Sequence, residues 1–216
     1  MAENGACIPS KSCDFEVDLC DLANTEDSKL LWKRKQYQDG INDPDHTTST
    51  NSGSFAYLAF EIGSVTGDKG VLISPKYKPV GFECLQFWYL IKGNSIGQLN
   101  VRVFSQNQYS TPLWSKIADQ VTEWRYGQVE IRETQNEYSF VFEGIRGTEN
   151  TGITALDDVI LKSGACMPPI NCNFEDETTC SWTQSIHDDQ DWLLVQGKSG
   201  TFLTHGYFLW LKLILC

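Results

Sequence analysis

The sequence carries eight cysteines in 216 residues but no Cys-x-x-Cys pair. That absence disfavours zinc ribbons and thioredoxin-type redox centres. Cations are scarce as well: 17 Lys and Arg stand against 28 Asp and Glu, a formal charge of −11. Nucleic-acid binding needs clustered basic residues to displace phosphate counterions, so the balance argues against it, and equally against an anionic membrane surface. Histidine occurs only at positions 46, 187 and 205, with no His-Glu-x-x-His and no other zinc spacing. No Asn-x-Ser/Thr sequon is present, so N-glycosylation is not expected. The N-terminus, Met1-Ala2-Glu3-Asn4-Gly5-Ala6-Cys7, lacks the basic and apolar regions of a signal peptide. The most apolar run, His205 to Cys216, is interrupted by Lys212 and is too short to span a bilayer, which takes about 20 residues. With two Met and no run of more than two turns at helical period, the sequence disfavours an all-helical chain.

What is present is a core-forming composition. Hydrophobic residues make up 41% and aromatics 12%, including seven Trp, which is too apolar for a disordered chain. Segments 55–62, 83–91, 98–104, 124–131, 138–143 and 155–161 read as strands, punctuated by Gly, Pro, Asn and Ser. Segment 98–104 alternates polar and apolar residues as a half-buried strand does. Many short, mostly antiparallel strands predict an all-β, two-sheet antiparallel sandwich of jelly-roll type. Trp32, Trp88, Trp114 and Trp124 are expected to pack in its core.

The chain also repeats itself. Gly5-Ala6-Cys7-Ile8-Pro9 returns as Gly164-Ala165-Cys166-Met167-Pro168, and Cys13-Asp14-Phe15-Glu16 returns as Cys172-Asn173-Phe174-Glu175. Cys20 then matches Cys180, and Trp32 matches Trp192. So long a period means tandem domains rather than a solenoid. The expected organisation is the end of a preceding domain over 1–12, a complete domain over 13–166 and a linker over 167–171. A truncated second copy over 172–204 and a non-homologous apolar tail over 205–216 complete it. On this reading the chain is a fragment of a longer array, and Cys7 and Cys216 are left over at its cut ends, either as free thiols or bridged to each other.

The ordered set of short motifs resembles one family closely. Cys13-Asp14-Phe15-Glu16-x-x-x-Cys20, Asp45-His46-Thr47-Thr48, Leu72-Ile73-Ser74-Pro75 and Cys84-Leu85-Gln86-Phe87-Trp88-Tyr89 look like the MAM domain, named for meprin, the A5 antigen and receptor phosphatase mu. So do Leu113-Trp114, Val141-Phe142-Glu143-Gly144 and Ala155-Leu156-Asp157-Asp158-Val159. The resemblance implies an extracellular β-sandwich without catalytic machinery, acting in adhesion and self-association through a protein partner or another copy. The alternative it leaves is an accessory ectodomain of a membrane-bound protease or receptor phosphatase. It also implies the disulfides Cys13–Cys20 and Cys84–Cys166, with Cys172–Cys180 in the second copy. Chain entropy assigns about 2.5 kcal/mol to the first loop and about 4.5 to the second.

Two features invite chemistry. Gly93-x-Ser95-x-Gly97 matches an esterase nucleophile elbow, but strand-like segments flank it on both sides, so a hairpin turn is expected instead. The acidic residues carry more weight. Some MAM domains hold a cation where the first-strand Glu meets the Asp-His-Thr segment and the late Asp-Asp. Carried over, the resemblance nominates Glu16, Asp18, Asp45, Asp157 and Asp158 as ligands for Ca2+, a hard cation that takes carboxylate oxygens. The plainer reading gives these carboxylates turn and capping hydrogen bonds.

Overall fold

The structure is a computed structural model that describes residues 11–167 apart from 37, 38, 40, 61, 94, 95, 118–122, 133, 134 and 149–151. The chain divides after Cys166 into two units; the first is described from Lys11, and of the second only Met167 is described. Cys172, Cys180, the repeat's second copy and the apolar tail therefore lie outside the described residues.

Among the described residues twelve strands divide between two antiparallel sheets, in keeping with their aromatic and β-branched segments. They are β1 (Lys11–Cys13), β2 (Ala23–Asn24), β3 (Leu31–Arg34), β4 (Ala56–Ala59), β5 (Lys69–Ile73) and β6 (Glu83–Lys92). The series continues with β7 (Ile96–Ser105), β8 (Gln108–Tyr109), β9 (Trp114–Ile117), β10 (Arg125–Ile131), β11 (Tyr138–Arg146) and β12 (Ile153–Ser163). One sheet runs β10-β6-β12-β4-β3 with β1 also on β12; the other runs β2-β5-β11-β7-β8 with β9 also on β7. Among the described residues there is no helix long and apolar enough to cross a membrane.

The core lies between the sheets. Leu85, Phe87, Tyr89 and Ile91 of β6 face Phe140 and Phe142 of β11 and Leu99 and Val101 of β7, each on alternate positions of its strand. Trp32 fills the centre and donates its indole N–H to the Gly70 carbonyl at 3.0 Å. Trp114 packs edge-on against Phe87 and Tyr89. Trp88 and Trp124 depart from the core expectation. Trp88 takes the outward phase of β6, because its neighbours Phe87 and Tyr89 point inward, and Trp124 packs with Phe55 over the outer side of the same sheet. The Gly93–Gly97 segment departs too. It joins β6 in one sheet to β7 in the other, so it is a corner between layers and not a hairpin.

Two disulfides staple this unit: Cys13–Cys20 closes the loop after β1, and Cys84–Cys166 ties the end of the unit to β6.

Candidate functional site

The edge of β12 that faces away from β6 is shared. Ala155 and Leu156 pair with β4, whereas Val159 to Leu161 pair with β1. Asp157 and Asp158 fall in the gap between the two partners. On the other edge the register slips by one residue, with Asp157 opposite Trp88 and Ile160 opposite Gln86. This bulge bends the strand locally, and Asp158 sits at φ +46°. Aspartate tolerates that conformation better than most residues because its short side chain bonds locally.

The gap receives the loop 43–54. Asp157 Oδ2 accepts the His46 N–H at 2.8 Å and the Thr47 N–H at 3.3 Å, while its Oδ1 accepts the Asp158 N–H at 2.9 Å. The Thr47 hydroxyl donates to Asp158 Oδ1 at 2.9 Å, and His46 Nδ1 lies 2.5 Å from Asp158 Oδ2. The imidazole stacks on Trp88 with centroids 3.7 Å apart, and Trp124 donates its indole N–H to the Pro44 carbonyl at 2.8 Å. Within the loop, Asp45 accepts the Thr48 N–H at 2.6 Å, the Thr48 hydroxyl at 2.7 Å and the Thr50 N–H at 3.0 Å. Gly53 must be glycine here, because a Cβ would lie 2.2 Å from the Asp45 carboxylate carbon. Ser54 then donates its N–H to Glu16 Oε1 at 2.9 Å.

Of the five nominated ligands, four thus surround one loop. Asp18 does not join them; its Oδ1 accepts the Cys20 N–H at 2.6 Å inside the disulfide loop. The set has the chemistry a Ca2+ site uses, but its oxygens point at N–H and O–H donors, and among the described residues no three His, Cys, Asp or Glu gather as a metal cluster. The arrangement as it stands is a latch that fastens a loop to a sheet.

Two cations complete the latch and were not nominated from the sequence. Arg34 donates through Nε to the Phe15 carbonyl at 2.6 Å and through its other nitrogen to the Glu16 carbonyl. Lys35, 1% exposed, donates from Nζ to the carbonyls of Asp43 at 2.7 Å and Asn51 at 3.0 Å, drawing the two ends of the loop together. No sequence signal separates this Arg-Lys pair from an ordinary solvated one, since its partners are backbone carbonyls. Lys35→Met keeps the aliphatic stem and strands two carbonyls. Urea unfolding should show a loss of about 2–3 kcal/mol, with Lys35→Arg intermediate.

The two buried carboxylates of the latch titrate in opposite directions. Burial pushes Asp157 up to about 7, helped by the Asp158 charge and opposed by the His46, Asp158 and Thr47 amides. Burial alone would raise Asp45 too, but the Thr48 amide and hydroxyl and the Thr50 amide outweigh it and lower its value. A raised folded value means the native state holds the proton more tightly than the unfolded chain. The contribution of Asp157 to stability is therefore fully present below its ordinary value of 3.8 and is lost as pH rises from there to about 7. Asp45 acts below its ordinary range, where its stabilising charge is lost on acidification. The melting temperature is expected to fall from pH 5 to pH 7, and Asp157→Asn should flatten that slope; calorimetry across the range checks both.

Comparison with known proteins follows the same residues. The family model described as MAM domain, meprin/A5/mu matches residues 13–167. The MAM domain-containing glycosylphosphatidylinositol anchor protein 1 of Gallus gallus is 32% identical over 159 residues, 72% of this chain and 17% of that protein. The human MAM domain-containing protein 2 is 24% identical over 197 residues, 88% of this chain and 26% of that protein. The chain thus spans about a sixth to a quarter of the length of these relatives. Among solved structures, the K1 cleaved adhesin domain of Lys-gingipain from Porphyromonas gingivalis superposes with a TM-score of 0.54 at 14% identity, covering 73% of this chain and 99% of that one. At that identity the likeness is one of fold. With the family model spanning the sandwich from Cys13 onward, latch included, the chain belongs to the MAM domain family.

Proposed function

We propose that this chain is a non-catalytic extracellular module of a multi-MAM protein, serving adhesion or oligomerisation through protein–protein contacts. The observation that carries the reading is the closed bonding of the latch. His46, the one histidine of the sandwich, commits Nδ1 to Asp158 and its ring face to Trp88. The buried carboxylates hold backbone amides of a loop. Groups that would serve acid–base chemistry elsewhere hold the architecture here, which leaves the outer surface to do the work. The two disulfides and the glycosylphosphatidylinositol-anchored relatives support an extracellular setting. Sedimentation velocity of the full chain over a range of concentrations tests the self-association arm. A weight-average mass that climbs with concentration supports it; a concentration-independent monomer overturns it.

Calcium forms a second part of the proposal. Glu16, Asp45, Asp157 and Asp158 supply the right oxygens around one loop, and a cation would take them over by releasing the Thr47 and His46 donors. Binding to the native state alone must raise the melting temperature by mass action. A saturable rise with added calcium that disappears in Asp158→Asn supports the site; no shift at millimolar calcium rejects it.

A further inference from the structure

The outward side of the second sheet holds a cleft of about 210 Å³ that the latch does not touch. On β11, Phe140 and Phe142 point into the core, so Val141 and Glu143 point the other way. Even so, Val141 is fully buried and Glu143 is 6% exposed. They form the cleft's floor together with Val71 of β5. Asp27 and Ser28 stand on one rim and Tyr109 on the other.

Local structure fixes the tyrosine. Gln106 and Asn107 both have positive φ, the signature of a two-residue hairpin turn, and this sets Tyr109 opposite Phe104. The rings pack at 4.8 Å, while Tyr109 stays 44% exposed. Its phenol is pushed up by burial first and then by the charges of Asp27 and Glu143, which line the same cleft.

The charges in and beside the cleft cancel. Glu143 Oε1 accepts Lys69 Nζ at 2.8 Å and Oε2 accepts Arg102 Nε at 2.6 Å, while Arg102 also donates to the Ser110 carbonyl at 2.7 Å. Two carboxylates and one cation line the cleft, Asp27, Glu143 and Lys69; Arg102 does not line it but pairs with Glu143, and with it counted the local charges sum to zero. Neither an anionic nor a cationic ligand gains from such a site. A ligand that is neutral and rich in hydroxyls does, because fixed acceptors and donors lie around an apolar floor beside an aromatic face. The volume is below the ~300–1,000 Å³ of pockets for drug-sized molecules, and suits a single ring.

We propose that this cleft binds one pyranose residue of a neutral saccharide, with Tyr109 as the stacking face and Asp27, Lys69 and Glu143 as hydroxyl partners. Binding is weak in such an open site, with Kd about 1 mM.

The test is a titration of the ¹⁵N-labelled full chain followed by two-dimensional NMR. The probes are cellotetraose and β-1,4-galactotetraose, with a heparin-derived hexasaccharide and an arginine-containing tripeptide as charged competitors. Saturable shifts with a neutral probe at the amides of Tyr109, Val141 and Glu143 are expected. Tyr109→Ala should weaken binding by tenfold or more and Tyr109→Phe by about twofold, with both variants unchanged in melting temperature because the ring is half exposed. No shifts from either neutral probe at about 20 mM, twenty times the expected Kd, overturn the proposal. So do shifts confined to another face, binding of only the charged probes, or full affinity in Tyr109→Ala.

Discussion

Asp157→Ala is expected to lower the unfolding free energy by about 3–5 kcal/mol, measured by chemical denaturation at pH 7. The carboxylate is fully buried and accepts the backbone N–H groups of His46, Thr47 and Asp158. Alanine leaves these donors without their acceptor beneath the loop, and an unsatisfied buried donor costs about 1–3 kcal/mol. Asp157→Asn retains one carbonyl oxygen and removes a charge that burial already disfavours, so its loss should be much smaller. The ordering Ala well below Asn is the diagnostic. Equal losses would mean that charge and not amide capture holds the loop. Because His46 rests on Trp88, the alanine variant should also change tryptophan fluorescence, reporting that the loop has lifted from the sheet.

Removing Cys84–Cys166 with paired serines should cost about 4–5 kcal/mol, against about 2.5 for Cys13–Cys20. The two bridges close sequence separations of 82 and 7 residues, and the longer loop forfeits more entropy in the unfolded chain. Cys84 also opposes Lys162 in the ladder, so its bridge reinforces a β6–β12 pairing that already spans both strands. Thermal unfolding of the two double mutants decides the ranking. A greater loss from Cys13–Cys20 would locate the vulnerable region in the N-terminal loop that carries Glu16.

The sandwich was legible because its long strands carry their own signals. The alternation of 98–104 and the aromatic run of 83–91 correspond to β7 and β6. The two- to five-residue strands β1, β2, β3, β5, β8 and β9 leave no signal in the sequence, since such pieces are held by neighbours in the sheet and have no period of their own. The sheet-to-sheet corner at Gly93 looks like a hairpin in sequence for a related reason: strand periodicity says nothing about which sheet receives the next strand. Trp88 was misplaced because both faces of β6 are apolar, its outer one being covered by the loop around His46.

At the site, the structure brings the Asp-His-Thr and Asp-Asp motifs to one region. Their partnership depends on the split edge of β12 and the bulge at Asp157, neither of which leaves a mark in local sequence. Lys35 illustrates the same limit. A lysine that ends 1% exposed reads as surface until the two carbonyls that bury it are known. Tyr109 likewise acquires its place only through the hairpin that sets it beside Phe104.

The proposed contact function is tested most directly by coating beads with the oxidised full chain and scoring their clustering, alone and with cells. Clustering or cell capture that persists at 0.15 M salt, where the Debye length is about 8 Å, is the predicted result, and reduction of the disulfides should abolish it. Beads that remain dispersed and capture no cells, while the protein keeps its native melting transition, would contradict it.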